Sequence, residues 1–397
     1  MYTENDVLEF VQEEDVKFIR LAFFDISGKQ KNISIMPTEL KRAFSEGISF
    51  DASAILGFEE ADKSDLFLQP DPATLAILPW RPTTGKVVRM FCNIKKPDGS
   101  PYKKDCRWIL KKEIQKARDE FGLQLMIGSE VEFYLFKLDE KGEATKEPFD
   151  RASYMDIAPE DKGENIRREI CFTLEQMGIT PEASHHEEGP GQNEIDFRYS
   201  DALSAADNTA TFKWIVRTKA AANGLYADFS PKPLADEAGS GMHINLSCRS
   251  LKNDDKNDYM PFILGGILKH IEEITYYLNP TENSYERLGE CKAPKYICWG
   301  KENRSALVRL PSSSQPRFEI RSPDPSCNPY IAYALVIAAA LDGIKNKIEA
   351  PAPIEGNLFK TRAQDSEAKE LKVLPDTIDS ARAVAEKSDF VREVLGF

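Results

Sequence analysis

Four short segments of the sequence alternate apolar residues with side chains that could bind a metal ion or an anion. Residues two apart in a β-strand point to the same face of the sheet, so each segment predicts a strand with one apolar face and one polar face. The polar faces carry Glu130 and Glu132; Glu194 and Asp196; His243, Asn245 and Ser247; and Arg317, Glu319 and Arg321. Solvent-facing strands favour Lys and Thr, so faces rich in Glu, His and Arg indicate a functional surface.

If the four strands adjoin, five glutamates, with Glu187 as the fifth, and His243 converge. Their mutual repulsion would be prohibitive without cations. Hard divalent cations with oxygen ligands, Mg²⁺ or Mn²⁺, fit this set, whereas a single histidine among the carboxylates argues against zinc. Each segment by itself is better explained as an ordinary half-buried strand with a solvated polar face, and only the four together favour a metal site.

Arginines cluster around the last of these segments. Arg287, Arg304, Arg309, Arg317 and Arg321 fall within 35 residues. Guanidinium groups beside a carboxylate–metal site suit an anionic substrate and a transferring phosphoryl group, while ion pairs with the abundant acids are the alternative. The sequence has no GxxxxGK[ST] motif, so a nucleotide site would not be a P-loop. The residues themselves therefore predict a two-metal phosphoryl-transfer enzyme acting on a carboxylate or phosphate substrate.

The elements that would position these groups fall into two regions of an α+β fold. The turn-rich stretch Lys96–Pro101 separates them and predicts domains at 1–97 and 98–397. Strand-like patterns at 16–35 and 87–94 make the first region mainly β. Helical patterns interleave with strands in the second region and cover 106–121, 164–177 and 329–344.

The composition argues against several functional classes. The 397 residues include 65 acidic and 52 basic ones, for a net charge of −13 and without a basic block, which argues against nucleic acid as a partner. The longest apolar run, 331–341, is too short to cross a bilayer, and the acidic N-terminus does not resemble a signal peptide. Seven scattered cysteines without CxxC pairs favour reduced thiols and a cytoplasmic location.

Seven motifs, in this order, resemble the glutamine synthetases of the bacterial type I group. They are FDASA from Phe50, GSEVEFYLF from Gly128, SHHEEGPGQNEIDF from Ser184, SGMHINLS from Ser240, NPTENSYERL from Asn279, NRSALVRLP from Asn303 and RFEIRSPDPSCNPY from Arg317. The resemblance runs almost end to end. It implies a β-grasp N-terminal domain, a catalytic domain with a curved antiparallel sheet flanked by helices, and ring-shaped homo-oligomers with active sites between subunits. The implied activity is ATP-dependent ligation of ammonia to glutamate through γ-glutamyl phosphate, with two or more Mg²⁺ or Mn²⁺ ions per site.

The resemblance also implies a role for each matching residue. One metal would be held by Glu132, Glu187 and Glu194, and the other by Glu130, His243 and Glu319. Nucleotide-contacting positions are Glu182, Asn245, Ser247, Arg309 and Arg317. Glutamate would bind at Gly239, Arg287 and Arg321, and Arg304 would neutralise the transferring phosphoryl group. Asp51, delivered from the adjacent subunit, would bind ammonium and take its proton.

Three departures from the family pattern leave alternatives open. Ala238 stands where an asparagine usually contacts glutamate. The flap over the ammonium site, here Leu288–Pro294, is one residue shorter, with Lys292 before Ala-Pro and Glu290 as the candidate flap carboxylate. The chain stops at Phe397, which leaves a hexameric ring and stacked rings both open. The alternatives are a γ-glutamyl-amine ligase using a primary amine and a non-catalytic binding or regulatory relative; the presence of all six metal-ligand positions argues against the latter.

Overall fold

The computed structural model of the protein describes residues 2–252, 258–313, 315–360 and 370–397. The N-terminal region contains α1 (Glu4–Glu13), β1 (Val16–Phe24), β2 (Gln30–Ile35), α2 (Leu40–Ser45), β3 (Ile48–Asp51), β4 (Asp65–Pro70), β5 (Ala76–Ile77) and β6 (Lys86–Lys95). The larger region begins with α3 (Cys106–Lys116), β7 (Leu123–Leu138), β8 (Ala144–Pro148), α4 (Glu164–Gln176), β9 (Pro181–His186), β10 (Gln192–Phe197), β11 (Ser200–Asp201), α5 (Ala202–Ala222) and β12 (Leu225–Asp228). It continues with β13 (Met242–Ser250), α6 (Met260–Leu278), α7 (Glu282–Arg287), β14 (Trp299–Lys301), β15 (Val308–Leu310), β16 (Phe318–Ile320), α8 (Pro329–Asn346), α9 (Ile378–Lys387) and α10 (Asp389–Leu395).

The N-terminal sheet has the order β2-β1-β6-β4-β3, with β5 paired to β6. β1 and β6 run parallel, and the other pairs are antiparallel. The turn between β1 and β2 is held by Asp25, whose Oδ1 accepts hydrogen bonds from the backbone N–H of Ser27 (3.1 Å) and Lys29 (2.9 Å). Gly28 provides the positive φ of +82° that this turn needs. The predicted mainly β N-terminal region is confirmed.

The larger sheet has the order β14-β15-β16-β13-β7-β10-β9, with β8, β11 and β12 also paired to β7. Every pair is antiparallel except β14–β15, which is parallel, so the sheet predicted to be antiparallel is mixed at one edge. β7, with 16 residues, is the central strand and pairs with both β13 and β10.

One face of this sheet is apolar and buried. Val131, Phe133, Ile195, Ile244 and Ile320 are all fully inaccessible to solvent. α5 packs against β7, and α8 packs against α3, α5 and α6. Fully burying a Val, Ile or Phe side chain contributes about 1.5–3 kcal/mol to stability, so this layer anchors the polar residues on the opposite face. The prediction that the apolar helix near 329–344 is central core is confirmed, because residues 329–341 of α8 are all buried.

Glycines end the first two long helices of this region as the sequence predicts. α3 begins at an N-cap, Asp105, whose Oδ1 accepts the Arg107 N–H at 3.0 Å. It continues through a π-type turn, Ala117–Phe121, and ends at Gly122 with φ +67°. Gly178 likewise follows α4 with φ +80°.

None of the helices in the described part of the chain is long and apolar enough to cross a membrane. All seven cysteines are free thiols, in agreement with their scattered positions in the sequence. Four of them, Cys92, Cys106, Cys298 and Cys327, are buried, where they act as small apolar side chains.

Candidate active site

The four strands that carry the predicted polar faces are neighbours in the order β16-β13-β7-β10. Side chains of directly opposed residues in an antiparallel pair lie on the same face of the sheet. The opposed pairs are Glu130 with Asp196, Glu132 with Glu194, His243 with Glu130, and Asn245 with Glu319. The polar faces therefore join into one surface, which is the condition under which the sequence predicts a metal site.

Glu130, His243 and Glu319 form one group of potential metal ligands. Each offers one ligand atom, and the three atoms lie within 4.8 Å of one another. His243 Nδ1 lies 3.2 Å from Glu130 Oε2 and 3.7 Å from Glu319 Oε1. Asn245 Nδ2 donates to the other Glu130 oxygen at 2.8 Å, which fixes the carboxylate plane. These are the three residues that the resemblance groups together.

The remaining predicted ligands meet around Glu194. Glu132, Glu194 and His243 bring ligand atoms within 4.8 Å of one another, and so do His185, Glu187 and Glu194. His185 Nε2 lies 2.9 Å from Glu187 Oε1. Glu194 belongs to both groups and therefore links Glu132 to Glu187. Each group also contains a histidine, His243 in the first and His185 in the second.

Glu132 is held by two donors. Its Oε2 accepts the Gly241 N–H at 2.7 Å and the Gln192 side-chain amide at 3.2 Å. Gln192 also donates to the Gly239 carbonyl at 3.1 Å and is buried. Sequence reasoning missed Gln192, although it precedes Glu194 by two residues on β10 and therefore shares its face.

Negative charge accumulates at the Glu194 end of the surface. Burial raises the pKa of Glu194 well above its ordinary value, and the charges of Glu132 and Asp196 raise it further. Burial also raises the pKa of Asp196 to about 7, with Glu130 adding to the rise. Buried carboxylates in this arrangement need positive charge to ionise together, so the donor set suits divalent cations.

Arginines compensate the charge at the Glu319 end. Arg309 contacts one oxygen of Glu319 and Arg321 the other. Burial opposes ionisation of Glu319, but His243, Arg321 and Arg309 outweigh it and lower the pKa of this carboxyl to about 2. Arg321 Nε also donates to the Arg304 carbonyl at 3.2 Å, which ties the exposed Arg304 to the same surface.

The predicted glutamate-binding residues lie together at the next part of the surface. Arg287 is buried and donates to the backbone carbonyls of Ser322 (2.8 Å) and Arg321 (3.2 Å). A Cβ at Gly239 would lie 2.6 Å from the Pro231 carbonyl and 2.8 Å from Arg287 Cγ, so the close packing there excludes any side chain.

Two cavities cover the surface. One, of about 490 Å³, is lined by an acidic cluster, defined as Glu130, Glu132, Glu187, Glu194 and Asp196, and by Arg287, Arg304, Arg309, Arg317 and Arg321. The other, of about 450 Å³, is lined by Glu182, Asn245, Ser247 and Arg317, four of the five predicted nucleotide-contacting residues. Glu130, Ala183, Asp196 and Arg317 line both cavities, so the two are continuous. The fifth nucleotide candidate, Arg309, lines the larger cavity.

Two predicted residues lie elsewhere within the described chain. Asp51 is exposed at the end of β3, where its Oδ1 accepts the Ser53 N–H (2.9 Å) and hydroxyl (2.6 Å), and it lines neither cavity. Glu290 also lies outside both cavities; the flap contributes Cys291, Lys292 and Ala293 instead.

Loop residues without a sequence signal complete the larger cavity. Tyr154, Met155 and Glu188 line it, and the Tyr154 ring lies 5.5 Å from that of His185. Ala238, which the sequence places at a glutamate-contacting position, lines it as well. Periodicity cannot reveal such residues because loops have no repeating face. Asp196 also lines the cavity, and its position follows from the alternation on β10.

Two family models match the chain. The model described as glutamine synthetase, catalytic domain, matches residues 103–397, and that described as glutamine synthetase, beta-Grasp domain, matches residues 15–97. A glutamine synthetase of Methanosarcina mazei is 45% identical over 409 residues, spanning 99% of this chain and 91% of that protein. A glutamine synthetase of Clostridium saccharobutylicum is 42% identical, spanning 100% of this chain and 92% of that protein.

Solved structures share the fold. A structure described as a GmaS/ADP complex superimposes with a TM-score of 0.88 at 29% identity, covering 98% of this chain and 92% of that one. The cryo-EM structure of Plasmodium falciparum glutamine synthetase gives a TM-score of 0.84 at 23% identity, covering 100% and 95%. The second likeness concerns the fold alone.

Proposed function

The chain belongs to the glutamine synthetase family, and we propose that it forms glutamine from glutamate and ammonia by ATP-dependent ligation through γ-glutamyl phosphate. One observation carries the proposal: strands β16, β13, β7 and β10 and the segments around them bring Glu130, Glu132, Glu187, Glu194, His243 and the five arginines to the wall of one continuous cavity. Glu319 is buried beside this wall, where it pairs with His243, Arg309 and Arg321. That arrangement has the charges that phosphoryl transfer to a carboxylate requires.

The smaller cavity is the proposed nucleotide site. Glu182, Asn245, Ser247 and Arg317 line it, and Arg309 lines the larger cavity with which it is continuous. Arg317 Nε donates to Asn245 Oδ1 at 3.0 Å, which holds both side chains in place. A nucleotide bound there would direct its terminal phosphate towards the acidic cluster. The similar GmaS structure is a complex with ADP, which supports an adenine nucleotide as a ligand.

The larger cavity is the proposed site of chemistry. Arg287, Arg321 and the backbone at Gly239 would hold glutamate, since fixed guanidinium groups bind carboxylates in bidentate fashion. A γ-carboxylate oxygen would form a bond to the terminal phosphorus of ATP as the bond to ADP breaks, with Arg304 neutralising the charge in transfer. Asp51 of the adjacent subunit would first take a proton from ammonium, and the resulting ammonia would attack the acyl carbon. Phosphate would leave as the bond from the acyl carbon to the phosphate oxygen breaks, and it would carry away the second proton that the nitrogen loses.

Two groups of ligands fit divalent cations. Glu130, His243 and Glu319 would hold one ion, and Glu132, Glu187 and Glu194 the other. Mg²⁺ and Mn²⁺ are the candidates because oxygen donors dominate the set. When bound, the ions would neutralise phosphate oxygens during transfer.

The proposed enzyme is a homo-oligomer, either a hexameric ring or stacked rings. Asp51 is exposed and lies on the edge strand β3 of its own subunit, outside the cavities, which supports the proposal that a neighbouring subunit supplies it. Residues 1–97 would then form an N-terminal domain that completes the site built by residues 98–397 of the next subunit. We place the enzyme in the cytoplasm, since its free cysteines suit a reducing compartment.

The alternative functions receive less support. Relatives at 42–45% identity are named glutamine synthetases, which does not favour a γ-glutamyl-amine ligase. All six predicted metal ligands are present, and their ligand atoms fall into overlapping groups within 4.8 Å, which argues against a non-catalytic relative.

The direct test measures glutamine and phosphate formed from ATP, glutamate and ammonium, with methylamine in a parallel assay. We expect glutamine formation that requires Mg²⁺ or Mn²⁺, and a loss of about a hundredfold or more in Glu319→Ala. Glu175→Ala, at an exposed position on α4, is the matched control. Preference for methylamine over ammonium would overturn the proposed function. Full activity in Glu319→Ala would overturn the assignment of the site. Calorimetric titration of Mn²⁺ into the same variants gives a readout independent of turnover.

A further inference from the structure

An ion pair spans the mouth of the larger cavity. Lys292 Nζ contacts Glu188 Oε1, and both residues line the cavity. Their side chains are 58% and 33% exposed, which places the contact at the border between the cavity and solvent. Lys292 belongs to the flap, whereas Glu188 lies in the turn between β9 and β10, so the pair joins two segments that are 104 residues apart in the sequence.

Both partners are anchored through their backbones. The Glu188 N–H donates to Glu187 Oε2 at 3.0 Å, which attaches Glu188 to the acidic cluster. The flap is closed by a hydrogen bond from the Gly289 N–H to the Ala293 carbonyl at 2.9 Å. Lys292 has a φ of +68°, an unfavourable conformation for a residue with a side chain, and it aims this side chain at Glu188. The pair is therefore built into two fixed segments.

The chemistry of this contact matches the proposed substrate. The Lys292 side chain ends in a primary ammonium group, and the Glu188 carboxylate binds it at the entrance to the cavity. Ammonium would reach the same entrance as a cation. A carboxylate that holds a tethered alkylammonium ion offers the same charge and hydrogen-bond acceptors to free ammonium.

We propose that Glu188 is the carboxylate at which ammonium first binds and that Lys292 competes with it, which makes the pair a gate that sets the apparent affinity for the amine. This inference rests on the proposed function. Ammonium would meet Glu188 before it reaches Asp51, and Glu188, unlike the candidate flap carboxylate Glu290, lines the cavity. Glu188 and Lys292 are specificity-determining residues in this account, since they act before the acyl phosphate is attacked.

Kinetics of two variants test the gate. Lys292→Met frees Glu188, so the KM for ammonium should fall about three- to tenfold, a range suited to a part-exposed ion pair. Glu188→Gln removes the binding charge, so this KM should rise by about the same factor. In both variants kcat and the KM for glutamate should change by less than about twofold, because neither residue contacts the reacting atoms.

The double variant, a control and a comparison variant decide between outcomes. Lys292→Met combined with Glu188→Gln should behave like Glu188→Gln alone, since the lysine acts only through Glu188. Lys295→Met, directly after the flap and outside this cavity, is the control and should leave the KM for ammonium unchanged. Glu290→Gln, on the flap but outside this cavity, is the comparison that distinguishes Glu188 from the candidate flap carboxylate. An effect of Glu290→Gln without one of Glu188→Gln would overturn the proposal in favour of Glu290. The proposed function is tested separately by whether the wild-type protein forms glutamine from ammonium at all. The gate is tested only by the ratios of KM for ammonium between active variants and the wild type.

Discussion

At the scale of single residues, the proposed site depends on a glycine, Gly241, whose backbone lies very close to the side chains of the site. The Gly241 N–H donates to Glu132 at 2.7 Å. A Cβ at this position would lie 2.7 Å from Arg287 Nη2 and 2.8 Å from His243 Nε2. Gly241 therefore lies between a proposed glutamate-binding arginine and a proposed metal ligand. The side chains of Arg287 and His243 occupy the space that a side chain at position 241 would need.

Gly241→Ala should accordingly impair activity far more than folding. The added methyl group would displace Arg287 and His243, and misplacement by about 1 Å can lower kcat/KM about a hundredfold. The free energy of unfolding should fall by about 1–3 kcal/mol, as for other overpacked sites. Steady-state kinetics and urea unfolding measure the two effects.

Gly99→Ala is the control for this substitution. Gly99 has a φ of +80°, and no atom of the described residues lies within 4 Å of the position that a Cβ would take there. Alanine would therefore be strained by about 1–2 kcal/mol without touching the site. Its kcat/KM should equal that of the wild type. Equal activity of Gly241→Ala and Gly99→Ala would show that the close approach at Gly241 has no functional role.

At the scale of elements, a buried ionic network ties helix α4 to the strand that carries Glu194. Arg167 on α4 donates to both oxygens of Asp161, at 3.1 and 2.5 Å, and to Asn193 Oδ1 on β10 at 2.6 Å. Arg167, Asp161 and Asn193 are all buried. Asn193 directly precedes Glu194 on β10. The network therefore holds β10 in the position at which Glu194 and Asp196 lie opposite Glu132 and Glu130 of β7.

A second contact reaches the turn after β9. His186 is fully buried, with Nε2 2.8 Å from Asp150 Oδ1 and Nδ1 2.6 Å from the Glu187 carbonyl. Asp150 Oδ1 also accepts the Gly191 N–H at 3.0 Å. The histidine pair thus divides its roles: His185 lines the cavity, and His186 supports the backbone that presents Glu187.

Arg167→Ala should destabilise the protein strongly. It leaves the buried Asp161 carboxylate without its partner, which costs about 3–5 kcal/mol in the free energy of unfolding. Arg168→Ala is the matched control at the adjacent, exposed position and should change this free energy by less than about 0.5 kcal/mol. Urea denaturation followed by circular dichroism compares the two, and equal midpoints would contradict the structural role of the network.

At the scale of the whole molecule, the proposed active site is incomplete in one subunit. The metal and nucleotide residues lie on the large sheet, while Asp51 lies on the edge strand of the N-terminal sheet. Completion of the site by a neighbour would make activity a property of the oligomer, because the base and the cation ligands would come from different chains.

Mixing two inactive variants tests this arrangement. Asp51→Ala and Glu319→Ala should each be inactive, since each breaks every site of its own oligomer. Random reassembly of equal amounts should restore roughly a quarter of wild-type activity, because that share of interfaces pairs an intact Asp51 with an intact Glu319. Mixtures that stay inactive after confirmed subunit exchange would show that both residues act within one chain.

The sequence by itself determined the local features of this protein. Alternation of Glu130 and Glu132 with apolar residues predicts the face each side chain takes, because the strand period of two is a property of neighbouring residues. Helix α8 and the glycine stops after α3 and α4 follow from equally local preferences. The seven motifs identified the family for the same reason, since they are contiguous stretches of chain.

Only the tertiary structure decided which of these features meet. The order β16-β13-β7-β10 joins residues up to almost 200 positions apart, and no local period encodes such pairing. Gln192 could have been found from its position two residues before Glu194, but Glu188 and Lys292 meet through loops without periodicity. The structure likewise separated Asp51 and Glu290 from the cavities. The sequence therefore determined which groups could do the chemistry, and long-range packing decided which of them share one site.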